Sequence, residues 1–153
     1  MKNNITDELT KVLQNSSPED AERIIKENRS SVFCEINPFG TCLKEVAYAN
    51  GLTLRDVINR AKLPSERFGY RLISGEKHTR DRDTVIKLCL GAKADLEDTQ
   101  RLLKLYGMSP LYSRIARDAV IISALTSGIS EVEEINVLLE KTGFKLLPDL
   151  KED

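Results

Sequence analysis

The stretch LTLRDVINRAKLPSERFGYRLISG, Leu52–Gly75, decides how the chain is read. Thr53 followed by Asp56 is a capping pair that opens a helix, and Leu54, Val57, Ile58 and Ala61 recur at helical spacing to give it an apolar stripe. Lys62, Leu63 and Pro64 make a turn. Ser65 then starts a second helix with Phe68, Leu72 and Ile73 facing inward, and Ser74 and Gly75 end it. Gly69 lies inside this second helix at a cost of roughly 1 kcal/mol relative to Ala, which a close approach by the first helix would explain. Two short helices joined by a tight turn are the outline of a helix-turn-helix. In such a unit the first helix braces the second, whose early exposed side chains can reach base edges in the DNA major groove.

Working outward, Ser17-Pro18-Glu19-Asp20 is a strong helix start, with a capping hydroxyl, a proline suited to the first position and carboxylates at the positive end of the helix dipole. That helix is expected to run to about Asn28, after a weaker one over Thr6 to Leu13. Residues 29–37 read as a connector. Asn37-Pro38 opens the next helix, whose stripe is Leu43, Val46 and Ala47 and whose end is marked by Asn50-Gly51.

Downstream the chain repeats itself. Arg82-Asp83 begins RDTVIKLCL and Arg117-Asp118 begins RDAVIISAL, an offset of 35, and Glu97, Gln100, Leu102, Leu103 and Gly107 correspond to Glu133, Asn136, Leu138, Leu139 and Gly143 at 36. Each copy reads as a helical hairpin, with Asp95 and Ser130 capping the second helices and Gly107 and Gly143 closing them. Two copies fall short of a free-standing solenoid, so they are expected to pack on the helix-turn-helix core. The paired Arg82-Asp83 and Arg117-Asp118 read as caps and local ion pairs at matching helix starts.

Strand signals are nearly absent, so the fold class is all-α. One domain over 1–153 is expected, with an N-terminal helical arm (1–37), a helix-turn-helix core (38–93) and a C-terminal extension (94–153). At 153 residues, 41% hydrophobic and 31% charged, the chain can bury a substantial core and is not disordered. It has no signal-peptide pattern and no apolar run long enough to span a bilayer, which places it in the cytoplasm. Cys34, Cys42 and Cys89 share no metal-ligand spacing and His78 is the sole imidazole, so no metal or other cofactor is expected. Cys42 and Cys89 read as small buried hydrophobes. There is no Gly-rich phosphate loop and no nucleophile with a plausible base, and the chain reads as a non-enzyme.

Net charge is only -1, but residues 55–87 hold nine Lys and Arg against five Asp and Glu, a local +4 that leaves -5 for the rest. A basic segment centred on the reading helix is the footprint of a modest DNA-binding module, and also of an ordinary solvated face. The base-reading candidates are Ser65, Glu66, Arg67, Tyr70 and Arg71. Arg reads guanine O6 and N7, Glu accepts from cytosine N4, and Ser contacts phosphate or base. Arg55, Lys77, His78, Arg80 and Arg82 are the phosphate-contact candidates, supplying affinity without sequence information. Tyr70 reads equally as a semi-buried wall and His78 as a surface residue.

Residues 38–92 resemble the lambda-repressor-like, or Xre-type, helix-turn-helix domain, carried by Leu52-Thr53, Val57-Ile58, Phe68, Ser74-Gly75-Glu76-Lys77 and the helix from Arg82 to Leu90. The stretch Leu111–Ile121, LYSRIARDAVI, resembles that of small bacterial members with a C-terminal helical extension. The resemblance implies a bundle of about five helices, double-stranded DNA as partner, a homodimer on paired half-sites, and transcriptional control in a bacterium, phage or mobile element. The chain departs from that pattern at Leu54, where the family often has a phosphate-bridging Gln, at Ile58, where a small residue is usual, and at Lys62, where the turn normally has Gly. Lys takes the left-handed conformation only at a cost, so the turn is expected to be rebuilt and the reading helix re-aimed.

A protein-interaction or adaptor module is the other reading. Residues 88–153 carry eight basic against eleven acidic groups, their hairpins offer grooves, and Phe144, Leu146 and Leu147 would mark a partner surface if exposed, or close the core if not.

Overall fold

The computed structural model describes residues 5–28 and 37–148, and these are all-helical, with no strand among them. The chain divides into two units, 1–36 and 37–153. The first contains α1 (Ile5–Gln14) and α2 (Pro18–Asn28). Ser17 Oγ accepts from Asp20 N–H at 3.2 Å and so caps α2 as its sequence requires. The helix buries none of its residues. Most of the connector expected over 29–37, including Cys34, lies outside the described residues.

The second unit is built from α3 (Pro38–Ala49), α4 (Leu54–Arg60), α5 (Glu66–Ser74), α6 (Arg82–Gly91), α7 (Leu96–Tyr106), α8 (Ala116–Thr126) and α9 (Val132–Lys141). Helix α6 is its centre: every residue from Asp83 to Gly91 is buried, and α4, α7 and α9 all pack against it. One core runs through the unit, from Leu43 and Ala47 through Val57, Ile58, Leu72 and Ile73 to Ile121, Ile135 and Leu139. Each fully buried Leu, Ile or Val among these contributes about 1.5–3 kcal/mol relative to exposure. Cys89 is fully buried, and burial pushes its thiol far up from the usual range; Cys42, less deeply placed, is pushed up to about 11 by the same desolvation. Both thiols are protonated at neutral pH.

The repeat is built as two hairpins, α6–α7 and α8–α9, related by reciprocal contacts. The ion pairs run between copies rather than locally. Arg82 donates to Asp118 through both terminal nitrogens, one at 3.0 Å, and Arg117 donates to Asp83 through both, each at 2.9 Å. Each arginine also reaches a carbonyl in its own copy, Arg82 that of Ser109 at 3.4 Å and Arg117 that of Lys145 at 2.9 Å, residues 36 apart. The amides repeat the pattern. Gln100 holds the N–H and carbonyl of Leu111 at 2.7 and 2.8 Å, and Asn136 holds those of Leu147 at 2.8 and 3.1 Å. Packing follows suit, α6 against α9 and α7 against α8.

This arrangement decides the fate of the C-terminal apolar residues. Leu147 is 1% exposed and closes the core under the Asn136 clamp, Phe144 is half-buried, and only Leu146 is exposed. Asp95 caps α7 through Asp98 N–H as expected. Ser130, by contrast, stands one residue before the α9 cap position, Glu131, and accepts from Arg60. Asp81, not the Arg82-Asp83 pair, caps α6.

Candidate nucleic-acid interface

Helices α4 and α5 are fixed by local chemistry legible in the sequence. Thr53 and Asp56 form a reciprocal capping box at 3.1 and 2.9 Å, and the backbone N–H of Thr53 holds the Asp56 carboxyl below the usual carboxylate range. Ser65 Oγ accepts from Phe68 N–H at 3.1 Å, and Gly75, at φ +84°, closes α5 in the left-handed conformation. Asn37 ties the start of α3 to the last turn of α5, accepting from Gly40 N–H at 2.9 Å while its amide donates to Ile73 O at 2.6 Å.

Of the three departures noted in the sequence, those at Ile58 and Lys62 resolve in different ways. A Cβ on Gly69 would fall 2.7 Å from Ile58 Cγ1, so the large residue on α4 fills space that Gly69 vacates on α5. In the turn, Lys62 itself adopts φ +54°, the left-handed conformation in which a side chain costs roughly 1–2 kcal/mol. Its carbonyl accepts from Lys87 Nζ at 2.9 Å, and Lys87, fully buried, also donates to Pro148 O. The left-handed turn is held from inside by the buried Lys87 side chain.

Around α5 lies an open groove of about 630 Å³, lined among others by Lys44, Leu54, Glu66, Arg67, Tyr70 and Arg71. The structure brings four of the five base-reading candidates into this groove: Glu66, Arg67, Tyr70, which is 41% exposed, and the half-buried Arg71. Ser65, the fifth, is half-buried as the helix cap. Glu66 Oε1 accepts from Arg55 Nε at 3.1 Å. Arg71 Nε lies 3.3 Å from Glu76 Oε1, but the angle makes no hydrogen bond and leaves that buried N–H without an acceptor. Arg67 is exposed and forms no ion pair with any described residue.

The phosphate-contact candidates divide more sharply. Arg55, Lys77 and Arg80 are exposed, and Lys77 Nζ sits 4.9 Å over the Phe68 ring. His78 is exposed but stacked on Tyr106 at 4.5 Å, and the Tyr106 hydroxyl accepts from Thr79 N–H at 2.8 Å. Arg82 is turned inward to Asp118 and takes no place on this surface. Two further cations of the basic segment are also internal: Lys87, and Arg60, which donates to the carbonyls of Gly91, Leu90 and Ser130 and pairs with Glu131 at 2.6 Å. With Arg60, Arg82 and Lys87 removed, six cations face four carboxylates, because Asp83 is buried with Arg117. The local excess seen in the sequence falls from +4 to +2 at the surface.

No protein-family model matches this chain, and no characterised protein or solved structure matches it either. The reading of the site therefore rests on its own geometry. Lys44 on α3 is the groove residue that sequence reasoning did not single out. Its place next to Leu43, on the stripe, puts it on an outward face, but only the packing of α3 on α5 carries that face to the groove. Among the described residues no group of three or more His, Cys, Asp and Glu is placed to hold a metal, and no helix is long and apolar enough to cross a membrane.

Proposed function

We propose that the chain is a sequence-specific double-stranded DNA-binding protein, a regulator of transcription with a lambda-repressor-like arrangement in which α4 braces α5 and α5 enters the major groove. The observation that carries this reading is Arg67. It stands on the first turn of a helix rigidly fixed by a serine cap, a glycine close and the Ile58–Gly69 contact, and it is a cation with no ion-pair partner among the described residues. An arginine so presented can give both forks of its guanidinium to guanine. Glu66, Tyr70 and Arg71 flank it on the groove wall, and Arg55, Lys77 and Arg80 supply exposed charge for phosphates.

The adaptor reading draws on a different observation. Arg55 and Arg71 are each matched by a glutamate, Glu66 and Glu76, and the surface excess is small. Selection from a random duplex library at low salt separates the two. A DNA reader enriches a motif, loses it in the Arg67→Ala, Arg71→Ala double variant, and binds more weakly as salt rises. Absence of enrichment by the folded wild-type protein at low salt favours the adaptor.

A further inference from the structure

The duplicated hairpins are alike inside and unlike outside. In the first copy α7 packs on α3, and Leu102, on its outer stripe, is fully buried. In the second copy the corresponding stripe of α9 is only partly covered, Leu138 packing in part against the core. Glu134, Val137, Leu138 and Lys141 stand at spacings of three, four and seven, hence on one face of the helix. Val137 is 48% exposed, Leu138 is half-buried, and Glu134 and Lys141 are exposed with no ion pair to any described residue. The neighbouring acids, Glu131 and Glu133, are by contrast engaged with Arg60 and Lys62.

The order along this face, acid, two aliphatics, base, is self-complementary when reversed. Two α9 helices laid antiparallel, with Val137 opposite the second copy's Leu138, bring Glu134 opposite the second copy's Lys141 at both ends of the contact. We infer that the α9 stripe Glu134–Val137–Leu138–Lys141 is a self-association surface, occupied by the same stripe of a second copy of this chain in a two-fold, antiparallel contact. A two-fold contact requires a patch to complement itself, which this stripe does in charge as well as in apolarity. The inference is independent of the DNA reading, since it concerns a different face and a different readout.

Sedimentation equilibrium of the full chain tests it. The wild-type protein is expected to form a dimer. Glu134→Lys or Lys141→Glu alone places like charges at both ends and is expected to weaken the dimer by roughly tenfold or more. The double variant E134K/K141E restores the wild-type affinity, and an equimolar mixture of the two single variants forms a heterodimer tighter than either variant with itself. A wild-type protein that stays monomeric at high micromolar concentration overturns the proposal. So does a dimer that neither single charge change nor Val137→Glu weakens, because its contact lies elsewhere. All the substituted side chains are exposed or half-exposed, and circular dichroism of each variant confirms its fold.

Discussion

The groove around α5 and the seam between the repeated hairpins are both lined with arginine, yet they use it in opposite ways. At the seam Arg82 and Arg117 give two-pronged hydrogen bonds to Asp118 and Asp83, carboxylates that are themselves buried. At the groove Arg67 faces solvent with no ion-pair partner among the described residues. A guanidinium inside an ion-paired seam holds structure, because removing its partner leaves a poorly solvated charge. One in open solvent contributes little to stability and is available to bind. Arg82 and Arg67 come from a single basic segment, so local net charge does not separate them.

The largest expected effect breaks the seam. Asp118→Ala strips Arg82 of its carboxylate and leaves Tyr112 N–H, 2.9 Å from Asp118 Oδ2, without its acceptor. A loss of about 3–5 kcal/mol in urea unfolding is expected, and a loss under 1 kcal/mol would mean that the seam is not structural. Gly69→Ala comes next. Its Cβ cannot coexist with Ile58, and overpacking costs about 1–3 kcal/mol. Ile58→Ala itself opens a cavity in the core, so the double variant should lose clearly less than the sum of the two single losses, and strictly additive losses would refute the close fit of Ile58 on Gly69.

Smaller again are the amide clamps. Gln100→Ala and Asn136→Ala should each cost about 1–2 kcal/mol by thermal or urea unfolding, the two being similar if the hairpins are equivalent. A marked inequality would sharpen the comparison by showing which copy carries the fold. The thiol of Cys42 gives a pH signature. Its folded pKa is raised by burial from 9.0 to about 11, so its contribution to stability is complete below pH 9 and declines as pH rises from 9 towards 11. Cys42→Ala should flatten that part of the stability profile, a change read by urea midpoints across pH 8 to 10.5.

Much of the fold is written in short-range chemistry. The Thr53–Asp56 box, the Ser65 and Asp95 caps and the Asn37-Pro38 start are hydrogen bonds between residues three apart, and residue type and spacing suffice to read them. The repeat was legible as well, down to the correspondence of Gln100 with Asn136. What those residues do was not. Arg82 and Asp118 are separated by 36 positions, and Arg60 and Ser130 by 70, distances over which periodicity says that a side chain is polar but not whether it turns inward. The same limit applies to Leu147, whose backbone is held by Asn136, and to Lys87, a lysine in an apolar helix whose acceptors at Lys62 and Pro148 lie 25 and 61 positions away. In the groove, the residues of α5 were legible from helical spacing, whereas Lys44 enters only through the packing of α3.

Arg67→Ala and Arg82→Ala, compared side by side, test most directly the division between the arginine proposed to read DNA and the arginine that holds the seam. Each variant would be melted and then titrated, below its transition, with the duplex selected by the wild-type protein. Arg67→Ala is expected to melt within about 0.5 kcal/mol of wild type and to lose sequence preference. Arg82→Ala should melt well below wild type but keep that preference while folded. An Arg67→Ala protein that selects the same duplex as wild type, or a folded Arg82→Ala protein that no longer does, would contradict the account.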